Sequence, residues 1–266
     1  MTPALADPVL VGTDLGKRYG AIEALAGVDI ALRRGEVTSL CGDNGAGKST
    51  LVKILSGASA PTTGTLRING EAVRLRSPHH GQQVGIQTVF QDLGLAPHLT
   101  VTENVFLGRE IPRPGVLGKL GMLDRKAMRA ATADAVEQVK INLPGLNHLV
   151  ESMSGGQRQA VAVSRTIAGQ GSVVLLDEPT AALGVQETDR VAALITRLRE
   201  SGVAVLMISH DLPMVMQLST RVVILRHGRK VGDIDAAGHT VDDVIGYITG
   251  HRVDDHPRQI SPEETP

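Results

Sequence analysis

Gly42-Asp43-Asn44-Gly45-Ala46-Gly47-Lys48-Ser49-Thr50 has the form of a loop built to hold phosphates. An apolar run at residues 37–41 precedes it, and Leu51, Ile54 and Leu55 follow at helical spacing, so it reads as the turn between a buried strand and a helix. Glycines at 42, 45 and 47 let the backbone take positive φ and turn its N–H groups inward, binding a polyanion through main chain. Lys48 adds a charge for the β- and γ-phosphates of a nucleoside triphosphate, and the Ser49 hydroxyl is suited to Mg²⁺. The helix beginning here sets its positive dipole end beneath the same phosphates. A turn that only caps a helix could use similar glycines; three further stretches decide against it.

Upstream, residues 9–32 are strand-like, with turns expected at Gly20, Gly27 and Arg34-Gly35. Tyr19, one of two tyrosines, is either a half-buried strand residue or a platform that stacks on a base. Downstream, Asn69-Gly70 closes a short strand at 65–69, and residues 84–90 form the next expected buried strand, ending at Gln91. An uncharged amide there could reach Mg²⁺ or an attacking water, or serve only as a polar loop residue. Thr100-Val-Thr-Glu103 is a capping box that opens a helix, residues 109–121 read as a linker or surface loop, and Met128, Ala131, Ala135 and Val136 recur at helical spacing. Helices without strands after Gln91 point to a helical subdomain, about 92–153, inserted in an α/β core.

Three more stretches carry chemistry. Ser154-Gly155-Gly156-Gln157 opens a helix with Ser154 as N-cap, and its two glycines leave the helix terminus accessible to an anion. Val173-Val174-Leu175-Leu176 reads as a central parallel strand whose C-terminal end delivers Asp177 and Glu178. Successive side chains on a strand diverge, so Asp177 can hold Mg²⁺ while Glu178 polarises a water. The strand at 203–208 ends near His210, which at the same sheet edge could touch a γ-phosphate. A helix at 185–200, a hairpin at 221–234, a helix at 240–247 and a solvated tail at 251–266 complete the expected order.

Composition narrows the function classes. The 266 residues are 42% hydrophobic with 30 glycines, enough for one large core with a subdomain. Twenty-seven basic against 28 acidic residues give a net charge of −1, and aromatics make up 2%, so neither a basic field nor stacking platforms favour nucleic acid. Cys41 is the only cysteine, which rules out an intrachain disulfide and suits a reducing compartment. No apolar run approaches the roughly 20 residues that span a bilayer, and the first twelve residues lack a signal-peptide pattern; a soluble, unexported chain is expected.

Together these residues resemble the nucleotide-binding subunit of ATP-binding cassette transporters over about residues 8–250. The resemblance is carried by Tyr19 at the adenine position, residues 42–50 at the Walker A loop, Gln91 at the Q-loop, Ser154 to Gln157 at the cassette signature, Asp177 and Glu178 at Walker B, and His210 at the switch position. It implies a P-loop α/β core with a mostly parallel sheet, an N-terminal antiparallel β subdomain and the helical insertion. It also implies ATP and Mg²⁺ as ligands, with Lys48, Gln91, Glu178 and His210 in hydrolysis and Ser49, Gln91 and Asp177 on the metal. Residues 42–57 and Tyr247-Ile-Thr-Gly250 look like the branch serving bacterial importers of simple sugars. The implied partners are a second copy, whose signature turn completes the ATP site, integral-membrane permease subunits on the cytoplasmic face and, indirectly, an exported sugar-binding protein. Two departures stand out: Gly184 replaces the family's usual aspartate, and Met153 its usual leucine. Soluble cassettes acting on nucleic acid or ribosomes, and importers of other solutes, are the competing expectations.

Overall fold

Alternating strands and helices fold the loop at 42–47 onto one edge of a six-stranded sheet. A computed structural model describes residues 8–89, 94–139, 143–169, 171–180 and 184–252. In chain order the strands are β1 (Pro8–Tyr19), β2 (Ile22–Arg33), β3 (Val37–Cys41), β4 (Thr63–Ile68), β5 (Glu71–Val73), β6 (Ile86–Val89), β7 (Val173–Asp177), β8 (Ala204–Ile208), β9 (Arg221–Arg226) and β10 (Arg229–Asp235). The helices are α1 (Lys48–Leu55), α2 (Pro78–Gln83), α3 (Val101–Phe106), α4 (Val116–Lys119), α5 (Arg125–Val139), α6 (Gly155–Ala168), α7 (Val185–Glu200), α8 (Leu212–Leu218) and α9 (Val241–Thr249).

The main sheet runs β10-β9-β3-β8-β7-β6, parallel except for β10, which returns antiparallel on β9. A second, antiparallel sheet runs β2-β1-β4-β5. This is the expected α/β P-loop core with its N-terminal β subdomain. Apolar side chains alternate across the main sheet: Val173 and Leu175 join α1 and the small sheet on one face, and Val174 and Leu176 join α6, α7, α8 and α9 on the other. Burial on both faces is why these strands read as continuous apolar runs.

Between β6 and β7 the described residues form helices and two single bridges, Thr100 with Leu149 and Pro112 with Leu123. Val101, Val105 and Phe106 of α3 pack on Met128, Val150, Met153 and Val161 in a small core of their own. Met153 is buried there, so an unbranched thioether fills a site that leucine could fill.

Local signals place most boundaries. Thr100 caps α3, Ser154 caps α6 and Thr240 caps α9, each in a capping box. His227 and Gly228, both with positive φ, make the tight turn between β9 and β10. Elsewhere the outcome differs from expectation. Gly27 is not a turn but sits within β2 at φ 63, where two β1 steps face three β2 steps, which is a bulge. The strand expected from residue 84 starts at Ile86, because Val84 and Gly85 terminate α2, a helix capped by Ser77. Inside the expected loop at 109–121 lies the short helix α4, and α8 follows directly on Asp211 as its N-cap.

Candidate functional site

Three neighbouring strands end in one row. Leu40 of β3 stands beside Ile208 of β8, and Ile208 stands beside Asp177 of β7, so the phosphate-type loop, the two acids and His210 all leave the same sheet edge. At β3 the chain turns sharply through Gly42 at φ 144, and a Cβ there would lie 2.2 Å from the Leu225 carbonyl oxygen. Gly47, at φ 104, is held as closely, with the Ala24 carbonyl 2.8 Å from where its Cβ would be. Only glycine fits either place.

The loop curls around Lys48, which is 8% exposed and donates hydrogen bonds to the carbonyls of Gly42 (2.6 Å) and Asp43 (3.0 Å). No side chain caps α1, so its first-turn N–H groups are left to a ligand. Asn44, Gly45, Ala46, Gly47, Lys48, Ser49 and Thr50 line a cleft of about 530 Å³, with Tyr19, Asp177, Glu178 and His210 facing them. The fold thus gathers most of the residues named from sequence. Ala24 and Ile208 also line the cleft, and neither carried a sequence signal.

Glu178 has φ 50, the left-handed region that non-glycine residues seldom occupy. Its N–H donates to the Ile208 carbonyl (3.0 Å), which holds the bend, and its Oε1 lies 3.0 Å from His210 Nε2. Backbone strain of this kind, stored where side chains converge, is a mark of a working site. Tyr19 is half exposed at the end of β1, with the Lys17 ammonium 5.2 Å from its ring centroid.

Cys41, at the base of the loop, is buried, and burial pushes its thiol up to about 12, Lys48 opposing and Glu178 adding to the shift. It serves as packing beneath the loop rather than as a nucleophile.

Ser154, Gly155, Gly156 and Gln157 are not among the described residues that line this cleft. The Ser154 hydroxyl accepts from the Gln157 N–H (3.3 Å), and Gln157 Oε1 accepts from the Ser154 N–H (3.0 Å). This reciprocal cap takes up the Ser154 and Gln157 N–H groups, while neither glycine N–H takes part in it. Gln91 lies outside the described residues. Just beyond it, Arg165 of α6 donates to the Gly94 carbonyl (2.9 Å), and Arg109 donates to the Arg165 carbonyl. Burial, with Arg165 nearby, lowers the Arg109 guanidinium to about 10. Gly94 and Arg109 are therefore tied to the helix that Ser154 starts.

The donor set suits a Mg²⁺ bound together with phosphates. Ser49 and Asp177 share the cleft, and no group of three His, Cys, Asp or Glu side chains among the described residues makes a protein-only cage.

Comparison with known proteins agrees with this geometry. The family model for the ABC transporter matches residues 25–181. The chain is 43% identical over 246 residues to the fructose import ATP-binding protein FrcA of Rhizobium meliloti, covering 92% of this chain and 95% of that protein. It is 41% identical over 236 residues to the xylose/arabinose import ATP-binding protein XylG of Sulfolobus acidocaldarius, covering 89% and 92%. A solved dimeric bacterial ABC transporter cassette superposes with a TM-score of 0.68 at 25% identity, covering 85% of this chain and 98% of that one. Its phosphate-type loop, the paired acids at the end of β7 and the matched family span together make this chain an ATP-binding cassette of the ABC transporter family.

Proposed function

We propose that the cassette works as a homodimer whose ATP hydrolysis energises uptake of a simple sugar through a membrane permease. The observation that carries the catalytic part is the Glu178–His210 contact facing Lys48 across one cleft. In this reading the loop N–H groups and Lys48 hold the β- and γ-phosphates, and Tyr19 stacks on the adenine. Glu178 takes the proton from the attacking water, and His210 orients that carboxylate while touching the γ-phosphate. Ser49 and Asp177, with Gln91, would hold Mg²⁺, which neutralises phosphate charge when bound.

The turn at residues 154–157 is not among the described residues that line this cleft. A second copy placed head to tail would bring Gly155 and Gly156 N–H groups to the γ-phosphate, and the similarity to a dimeric cassette supports that arrangement. Sugar as cargo rests on the identity to fructose and xylose/arabinose import proteins over nearly their full lengths.

Uptake of labelled fructose, xylose and ribose, measured in cells with and without the gene, tests the assignment. Selective loss of one sugar, restored by the wild-type gene and not by Lys48→Ala, is the expected result. Unchanged uptake of all three, with loss of another solute, would replace the sugar reading by import of that solute.

A further inference from the structure

Five of the ten large apolar side chains that are exposed among the described residues fall within residues 116–123: Val116 (72%), Leu117, Leu120 (74%), Met122 and Leu123. Apolar exposure concentrated in this way marks a contact surface. The segment is a closed knob on the helical region. Arg113 N–H donates to the Met122 carbonyl, Met122 N–H to Leu117 and Asp124 N–H to Ile111, while Leu120 N–H completes the turn of α4. Gly115 and Gly121, at φ 77 and 82, supply the two bends. Ile111 roots the knob in the small helical core beside Val105 and Phe106.

The segment itself is basic. Between Arg113 and Arg129 there are five basic residues and one acidic residue, in a chain whose net charge is −1. Arg113, Lys119, Arg125, Lys126 and Arg129 are all exposed, whereas Asp124 is spent capping the Ala127 N–H. No described carboxylate forms an ion pair with Lys119, Lys126 or Arg129.

From this pairing of apolar tip and basic rim we propose that the knob inserts into the headgroup layer of an anionic lipid bilayer. Partly buried apolar side chains and several cations are the two ingredients of reversible interfacial binding. The knob's internal backbone bonds lower the cost of leaving water. A membrane protein's cytoplasmic loops carry an excess of Lys and Arg, so they would meet the rim with like charge. A second copy of the knob would do the same. Lipid contact does not depend on which solute is carried, and it would hold the cassette at the membrane surface independently of any permease.

The chain contains no tryptophan, so Leu120→Trp provides a single reporter at the tip. Purified full-length protein is mixed with vesicles of phosphatidylcholine containing about one quarter phosphatidylglycerol, and with phosphatidylcholine alone. The expected result is a blue-shifted emission and co-sedimentation with the anionic vesicles only, lost near about 0.5 M salt. Val116→Ser with Leu120→Ser should weaken partitioning at least about tenfold while leaving ATP turnover unchanged. Emission that stays at its aqueous position with anionic vesicles, or equal partitioning of the double variant, overturns the proposal. So does loss of permease co-purification by the double variant without any vesicle binding by the wild type, which would make the knob a protein contact. None of these readouts uses sugar uptake, so failure here leaves the transport reading standing.

Discussion

The Glu178 carboxylate and the His210 imidazole meet at 3.0 Å although they leave different strands, β7 and β8. Ile208 links them, pairing with Asp177 in the sheet and accepting the Glu178 N–H through its carbonyl. The left-handed bend at Glu178 is what turns its carboxylate along the sheet edge toward His210, where an ordinary strand conformation would point it across the sheet.

In the proposed mechanism that contact makes the two residues one unit in hydrolysis. Glu178→Gln should retain ATP binding and lower phosphate release by about 10²–10⁴-fold, the usual contribution of a positioned base. His210→Ala should lower turnover through the loss of orientation, and the double variant should fall little below Glu178→Gln alone, because residues that act together are not additive. Steady-state phosphate release by all three proteins provides the check. Multiplicative losses in the double variant would mean that the pair acts as two independent groups.

Gly42→Ala should destabilise the fold rather than simply slow the enzyme. The new methyl group would sit 2.2 Å from the Leu225 carbonyl at a backbone angle that side chains rarely adopt. Strain and overpacking of this order cost about 2–4 kcal/mol, which for a chain of this size lowers Tm by about 5–10 °C. Calorimetry on the ligand-free protein reads the effect directly. Gly45→Ala is the control: its Cβ would meet nothing within 4 Å, so only the φ of 82 opposes it and a smaller shift is expected.

The Cys41 thiol should resist labelling in the folded protein. With its ionisation held at about 12 by burial, thiolate at pH 8 is scarcer than about one part in 10³. Ellman's reagent should report no fast thiol until guanidinium releases one equivalent. The unfolded chain gives up this proton near its ordinary value of 9.0, whereas the folded chain keeps it, so the stability from this group is present below pH 9.0 and lost as pH rises toward 12. Rapid stoichiometric labelling at pH 8 would mean that the base of the loop opens in solution.

Much of the architecture was legible because its signals are local. The loop at 42–50 announced its strand and helix, Thr100 announced its capping box and Ser154 its N-cap, and the apolar run before Asp177 announced a strand covered on both faces. Where local signals were weak the reading failed. The sequence Pro-His-His-Gly-Gln-Gln at 78–83 has no apolar stripe, so α2 went unseen, and Gly27 looked like a turn because a bulge uses the same residue for the same positive φ. In the site, the types and order of Lys48, Asp177, Glu178 and His210 were readable, but their mutual distances were not.

What the chain alone determined is therefore the set of chemical groups and the elements that carry them, since caps, periodicity and glycine turns depend on neighbours a few residues away. Tertiary structure decided which strand ends share a row, why Gly42 must yield to Leu225, how Glu178 reaches His210 and that residues 116–123 stay uncovered. These relations join residues up to 183 positions apart, as Leu40 does through its parallel partner Val223, and such pairings follow from sheet order and side-chain packing, which nearby sequence does not encode.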